Sequence, residues 1–218
     1  AKCAIASGMG TRTTASHTTA MHNYSNDYAL KLMGIFRRAR MNFITLPFDN
    51  SVLQNRTDGY PRRRGHTRVD ELDAAGVNVC IGHDSIMDPW YPLGKGSMLA
   101  AANLLLHTAH MSGYDQIFRL FDMITVNSAR TMNVENRYGI EPGKPANLLI
   151  LDAPDQFEAI RLQSECLWSV RNGSVIAETV PARRTLSLGG RKRHIDFSAA
   201  RGEAGEERIL PVLLPRMA

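Results

Sequence analysis

Apolar and polar positions follow two different periods along this chain, and the switch between them falls near residue 137. Before it, short apolar runs take turns with longer amphipathic stretches. Residues 42–46 and 77–82 are nearly continuously apolar over five or six positions. Such runs read as strands of a parallel sheet covered on both faces. A β-branched run over 11–16 follows Gly8-Met9-Gly10 and ends at His17, predicting a further strand ahead of these two. Between the runs, residues 27–40 place Leu30, Met33, Ile35 and Phe36 on a helical apolar face, and a short helix over 69–75 stops at Gly76. Further helices are predicted over 96–111, 114–123 and 125–132. Strands alternating with helices predict an α/β architecture for the first part of the chain. Residues 48–68, with Asn50, Gln54, Asn55, Arg56, Asp58 and Tyr60, read as one long polar loop. Loops of that length are uncommon unless they carry function.

Past residue 137 the pattern becomes that of a small β domain, taken here as 138–188. Residues 146–152 predict a strand behind a Pro- and Gly-containing turn, and Asn172-Gly173 between two apolar segments predicts a tight hairpin over 170–176. From about 188 the chain turns Gly-, Arg- and Glu-rich and loses its period, so 189–218 is expected to be a disordered tail.

Composition adds exclusions. The 218 residues are 44% hydrophobic and 22% charged, ordinary for a globular protein. No stretch reaches the ~18 apolar residues of a membrane helix, and no membrane partner is expected. The formal charge of +5 comes from separate arginine clusters (37–40, 62–64, 191–193) without interleaved aromatics, so no nucleic-acid partner is expected. Cys3, Cys80 and Cys166 are far apart and odd in number, which predicts reduced thiols and a cytoplasmic setting. The chain opens without Met and without a signal-peptide pattern, so it is expected to lie inside a longer protein.

Reactive groups of parallel sheets gather at the C-terminal strand ends. Three sets stand there: His17, the segment Pro47-Phe48-Asp49-Asn50, and His83-Asp84-Ser85. An imidazole and a carboxylate on two strand ends suit metal-assisted hydrolysis, with the carboxylate taking a proton from water. On spacing alone the same residues fit a structural histidine and a capping aspartate. The zinc deaminases that carry H-x-E and P-C-x-x-C are excluded, because no two cysteines here are close.

Longer blocks narrow the field. Ser16-His17-Thr18-Thr19-Ala20-Met21-His22, then Tyr60-Pro61-Arg62-Arg63-Arg64-Gly65, then Gly82-His83-Asp84 with Asp88-Pro89-Trp90-Tyr91-Pro92-Leu93-Gly94, resemble the bacterial cytosine deaminases of the amidohydrolase superfamily. Asn127-Ser128-Ala129-Arg130-Thr131 and Ala146-Asn147-Leu148-Leu149-Ile150-Leu151 extend the resemblance over roughly residues 5–185. It implies the C-terminal portion of a (β/α)8 barrel (strands six to eight, 1–137) and part of a small β-sandwich. It further implies hydrolytic deamination of cytosine or a related amino-heterocycle, one divalent metal (Fe2+ or Zn2+), a nucleobase substrate, and an oligomer of identical chains.

Carried over by position, Asp84 resembles the aspartate that binds the metal and accepts the water proton. His17 resembles the histidine that orients the attacking hydroxide, and Trp90 a tryptophan lining the base pocket. The family's other metal ligands, its proton-shuttling glutamate and its pyrimidine-reading glutamine precede this chain, so the piece alone is expected to be inactive. Ser85 stands where familiar members carry a second aspartate, which is expected to relax the demand for cytosine. Two alternatives are another cyclic-amide amidohydrolase and a non-catalytic binding module made from a broken barrel.

Overall fold

The computed structural model describes residues 1–63, 65–182 and 184–195. It divides into two compact units that meet between Gly139 and Ile140.

The first unit is built on a three-stranded parallel sheet. Helix α1 (Lys2–Ala6) and a 3-10 turn (Gly10–Arg12) lead to β1 (Thr14–Ser16); α2 (Asn26–Ala39) leads to β2 (Asn42–Thr45). After α3 (Pro47–Leu53) and α4 (Val69–Ala74) comes β3 (Asn78–Ile81). The order is β1-β2-β3, with Ser16 opposite Ile44 and Ile44 opposite Cys80. Parallel neighbours need crossover connections, and α2 and the α3–α4 segment supply them. Phe43 and Val79 are fully buried between the layers, together with Met33 of α2 and Leu72 of α4. Helices α5 (Met98–Thr108), α6 (Tyr114–Ile124) and α7 (Val126–Thr131) add Leu105, Leu120 and Met123 to that core.

Two expectations change. Residues 48–68 are not one loop, because Pro47 opens a helix that runs to Leu53. Proline fits a first helical turn, where its missing N–H costs nothing. The buried stripe of α2 runs through Ala29, Met33 and Ala39, while Leu30 is 61% exposed. Apolar identity points to Leu30, but the spacing of α2 against the sheet selects the small Ala29 instead.

Polar groups lock the N-terminal side of the sheet. The buried Asn127 of α7 donates its amide to the Val79 carbonyl at 2.9 Å. Asn78 donates to Asn42 Oδ1 at 2.9 Å and to the Asn127 carbonyl at 3.2 Å.

The second unit is mainly β. Strands β4 (Leu148–Leu151), β5 (Cys166–Arg171) and β6 (Ser174–Glu178) form an antiparallel sheet, and the turn between the last two is the predicted Asn172-Gly173. Helix α8 (Gln156–Leu162), which the apolar period does not predict, is capped by Asp155 accepting the Glu158 N–H at 2.8 Å. A separate hairpin joins β7 (Arg184–Leu188) to β8 (Arg191–Ile195). Part of the expected tail is therefore a strand, since Gly189-Gly190 permits the positive φ of a two-residue turn. Residues 196–218 lie outside the described residues.

Replacing Asn127 by Leu strands the Val79 carbonyl and removes the lock between α7 and β3. The expected loss is about 1–3 kcal/mol, read as a lower urea midpoint at unchanged slope.

Candidate active site

The three parallel strands stop at one level, and the residues just beyond their ends form the site. His17 continues β1, its N–H donating to the Ile44 carbonyl at 3.0 Å; Gly82 continues β3, its N–H donating to the Thr45 carbonyl at 2.9 Å. These two bonds carry the ladder one residue past the strands, so His17 and Asp84 rise from strands on either side of β2. Strands two apart are separated by roughly 10 Å, too far for backbone contact but within reach of two side chains. His17 Nε2 lies 3.4 Å from Asp84 Oδ2. The approach is close elsewhere too: a Cβ on Gly82 would come within 2.6 Å of Leu46 Cδ2, so the β2 and β3 ends pack tightly there.

Both residues sit in the left-handed region, His17 at φ 61° and Asp84 at φ 69°. Non-glycine residues adopt it at a cost of about 1–3 kcal/mol, a kind of strain found clustered at functional sites. The side chains are 46% and 38% exposed, so the pair contributes little to stability and is open to a ligand.

Asn50 of α3, at the end of the middle strand, fixes the imidazole. Its Nδ2 lies 2.9 Å from His17 Nδ1. An amide nitrogen only donates, so Nδ1 accepts and the ring proton sits on Nε2, facing Asp84. Beside it, Asp49 is buried with its Oδ1 unpartnered among the described residues. Burial pushes its pKa up first; the Ser85 N–H opposes this and the charge of Asp84 adds to it. The Ser85 N–H reaches Asp49 Oδ2 at 3.4 Å.

Trp90 is placed on the loop after β3, where Asp88 Oδ1 accepts the N–H groups of Trp90 and Tyr91, both at 2.9 Å. These two bonds help to hold the Asp88 carboxyl below its usual range. The Trp90 side chain is 69% exposed and, among the described residues, stacks on no other ring. His17 and Asp84 are thus brought together, Ser85 stands next to them against Asp49, and Trp90 stands apart. Asp49 and Asn50 are not singled out individually by the sequence; their signal is position alone, directly after the second strand. His107 and His110 take no part in this cluster: His107 Nδ1 bonds the Asn103 carbonyl on its own helix at 2.7 Å.

A polar cavity of about 430 Å3 opens at the opposite end of the sheet, by Asn42 and Asn78. Its Arg119 is paired with Asp73 and Asp122, and its Arg130 with Glu135. It lies at the N-terminal end of the strands, where parallel sheets do not carry their chemistry.

One carboxylate at a strand end, flanked by an imidazole, offers a single hard oxygen-donor group. Among the described residues no group of three or more His, Cys, Asp or Glu is placed to hold a metal ion. Asp84 fits as one ligand of a divalent cation, and the described residues do not complete the set, since catalytic sites use about three protein ligands.

Residues 1–177 match the amidohydrolase family. The chain belongs to that family. Among solved structures it is similar to 5-methylcytosine deaminase from Klebsiella pneumoniae liganded with 5-fluorocytosine, at 49% identity and a TM-score of 0.80, covering 82% of this chain and 43% of that one. Among curated proteins it is similar to N-isopropylammelide isopropyl amidohydrolase of Pseudomonas sp. (strain ADP), 26% identical over 80% of this chain and 40% of that protein. It is also similar to pterin deaminase of Rhizobium rhizogenes, 27% identical over 85% of this chain and 42% of that protein. The chain therefore spans about two fifths of the length of these relatives. Among the described residues no helix is long and apolar enough to cross a membrane, and the three cysteines are free.

Asn50→Leu leaves His17 Nδ1 without its donor and frees the ring to turn or change tautomer. In an active enzyme containing this chain the expected fall in kcat is about 10- to 100-fold, with little change in melting temperature.

Proposed function

We propose that this chain is the C-terminal half of a divalent-metal-dependent aminohydrolase that deaminates cytosine or a related amino-heterocycle. On this reading β1, β2 and β3 are strands six, seven and eight of a (β/α)8 barrel, and the β unit is part of a β-sandwich. The observation that carries it is the 3.4 Å approach of His17 Nε2 to Asp84 Oδ2 across the C-terminal rim of the sheet. Family membership and the likeness to a 5-methylcytosine deaminase support it.

The cation, iron or zinc, supplies the Lewis acidity that makes water a nucleophile near neutral pH. Asp84 is one of its ligands, and the others come from protein outside this chain. The Asp84 oxygen not held by the cation would accept the proton that water loses, at the rim where His17 Nε2 lies 3.4 Å from Asp84 Oδ2. His17, oriented by Asn50, donates its Nε2 proton toward the attacking oxygen and holds it in line with the amino-bearing carbon. Addition there forms a tetrahedral centre; the two protons of water pass by way of Asp84, one to the ring nitrogen and one to the amino group, which leaves as ammonia as the ring carbonyl forms. Trp90 lines the base pocket on this reading.

Ser85 bears on the choice of substrate. A serine in place of a carboxylate makes the ring's neighbour smaller and neutral, which relaxes discrimination among amino-heterocycles. The pterin and ammelide activities of the curated relatives keep the same class of ring in view. A 5-substituted cytosine is the first substrate to try beside cytosine itself. The intact protein is expected to act as an oligomer of identical chains in the cytoplasm.

The decisive experiment is ammonia release by the full-length protein with iron or zinc. Cytosine or a 5-substituted cytosine should be turned over, and a chelator should abolish the reaction until metal is returned. Asp84→Asn should lower kcat by about 10³-fold or more, since it removes both a ligand and the proton acceptor. Full activity in Asp84→Asn, or no turnover of any amino-heterocycle by the metal-loaded protein, refutes the proposal. Residues 1–218 on their own should release no ammonia from cytosine under the same conditions.

A further inference from the structure

Directly behind Ser85 lies a carboxyl that the proposed reaction does not use. Asp49 is 1% exposed, its Oδ1 has no partner among the described residues, and its Oδ2 accepts the Ser85 N–H at 3.4 Å. A buried carboxyl left partly unsatisfied is destabilising, and an apolar side chain of the same volume would avoid that cost.

Ser85 is held from its other side as well. Its carbonyl lies 3.1 Å from His83 Nδ1, which must therefore carry the proton. His83 is itself fixed between rings, 4.8 Å from Phe48 and 6.3 Å from Tyr91, centroid to centroid. Gly94, at φ 82°, lets the loop close on it; a Cβ there would sit 2.6 Å from His83 Cε1. Ser85 is thus held by its N–H on one side and by its carbonyl on the other.

We propose that Asp49, acting with His83, is a positioning residue for specificity, fixing the Ser85 backbone so that its side chain meets the substrate ring at one set place. The inference rests on the proposed function. It makes the class of substrate more definite: a ring that presents a polar edge to Ser85, with added space where a second carboxylate would have stood. A serine whose backbone can shift discriminates less between ring edges.

The test uses the full-length metal-loaded enzyme and the ratio of kcat/KM for cytosine to that for 5-methylcytosine. Asp49→Asn keeps the volume and an acceptor for the Ser85 N–H, while setting an amide donor beside the hydroxyl. That variant should move the ratio about tenfold, and by less than about twofold when Ser85 is already Ala. His83→Gln disturbs the same residue from its carbonyl side and should move the ratio in the same direction, which keeps the test open if Asp49→Asn accumulates poorly. An unmoved ratio in the variants that fold, or an equal shift with and without the Ser85 hydroxyl, overturns the inference. An unsubstituted enzyme that deaminates neither cytosine refutes the proposed function and the inference with it. An active enzyme indifferent to Asp49 refutes the inference alone.

Discussion

Everything in the first unit depends on the register of three parallel strands. Ser16, Ile44 and Cys80 lie side by side, so the chain leaves all three strands at one height, and the residues past the strand ends face a common space. A slip of one residue would turn each side chain to the other face of the sheet. Asn78, Asn42 and Asn127 hold the register at the far end through side-chain amides. His17 and Gly82 hold it at the near end by extending the ladder beyond the strands. The approach of an imidazole to a carboxylate over the middle strand comes from that alignment rather than from attraction between two exposed groups.

Around this rim the protein accepts costs that a purely structural sheet would avoid. His17, Thr18 and Asp84 have left-handed backbones. Thr45, Asp49 and Asn50 bury oxygens without partners among the described residues. Each such group is worth a loss of about 1–3 kcal/mol. Those at the strand ends lie above a core of Phe43, Val79 and Met33, which sets a polar layer on an apolar base. That division suits catalysis, where donors and acceptors must already point the right way before a substrate arrives.

The first unit and the second differ in how much they bury. The α/β unit covers Phe43, Leu105 and Leu120 completely, whereas every residue of β6 is exposed, Val175 and Ile176 included. Large exposed apolar side chains on one sheet are unusual for an isolated domain. The short match to each relative, about two fifths of its length, gives that exposure a context.

Much of the architecture is legible from the chain itself. Continuous apolar runs locate β2 and β3, Asn172-Gly173 locates the second unit's hairpin, and the position of His17 and Asp84 after strands makes them candidates for chemistry. These are local signals, set by side-chain period and turn preference within a few residues. Helix α3, helix α8 and the β7–β8 hairpin escape such a reading because capping and glycine turns outweigh a polar composition. The roles of Asn50, Asp49 and His83 belong to the tertiary structure alone. Each depends on a neighbour from another strand end or from the loop behind it (Asn50 on His17, Asp49 on Ser85, His83 on Phe48 and Tyr91), and distance along a chain carries no record of which strand ends will meet.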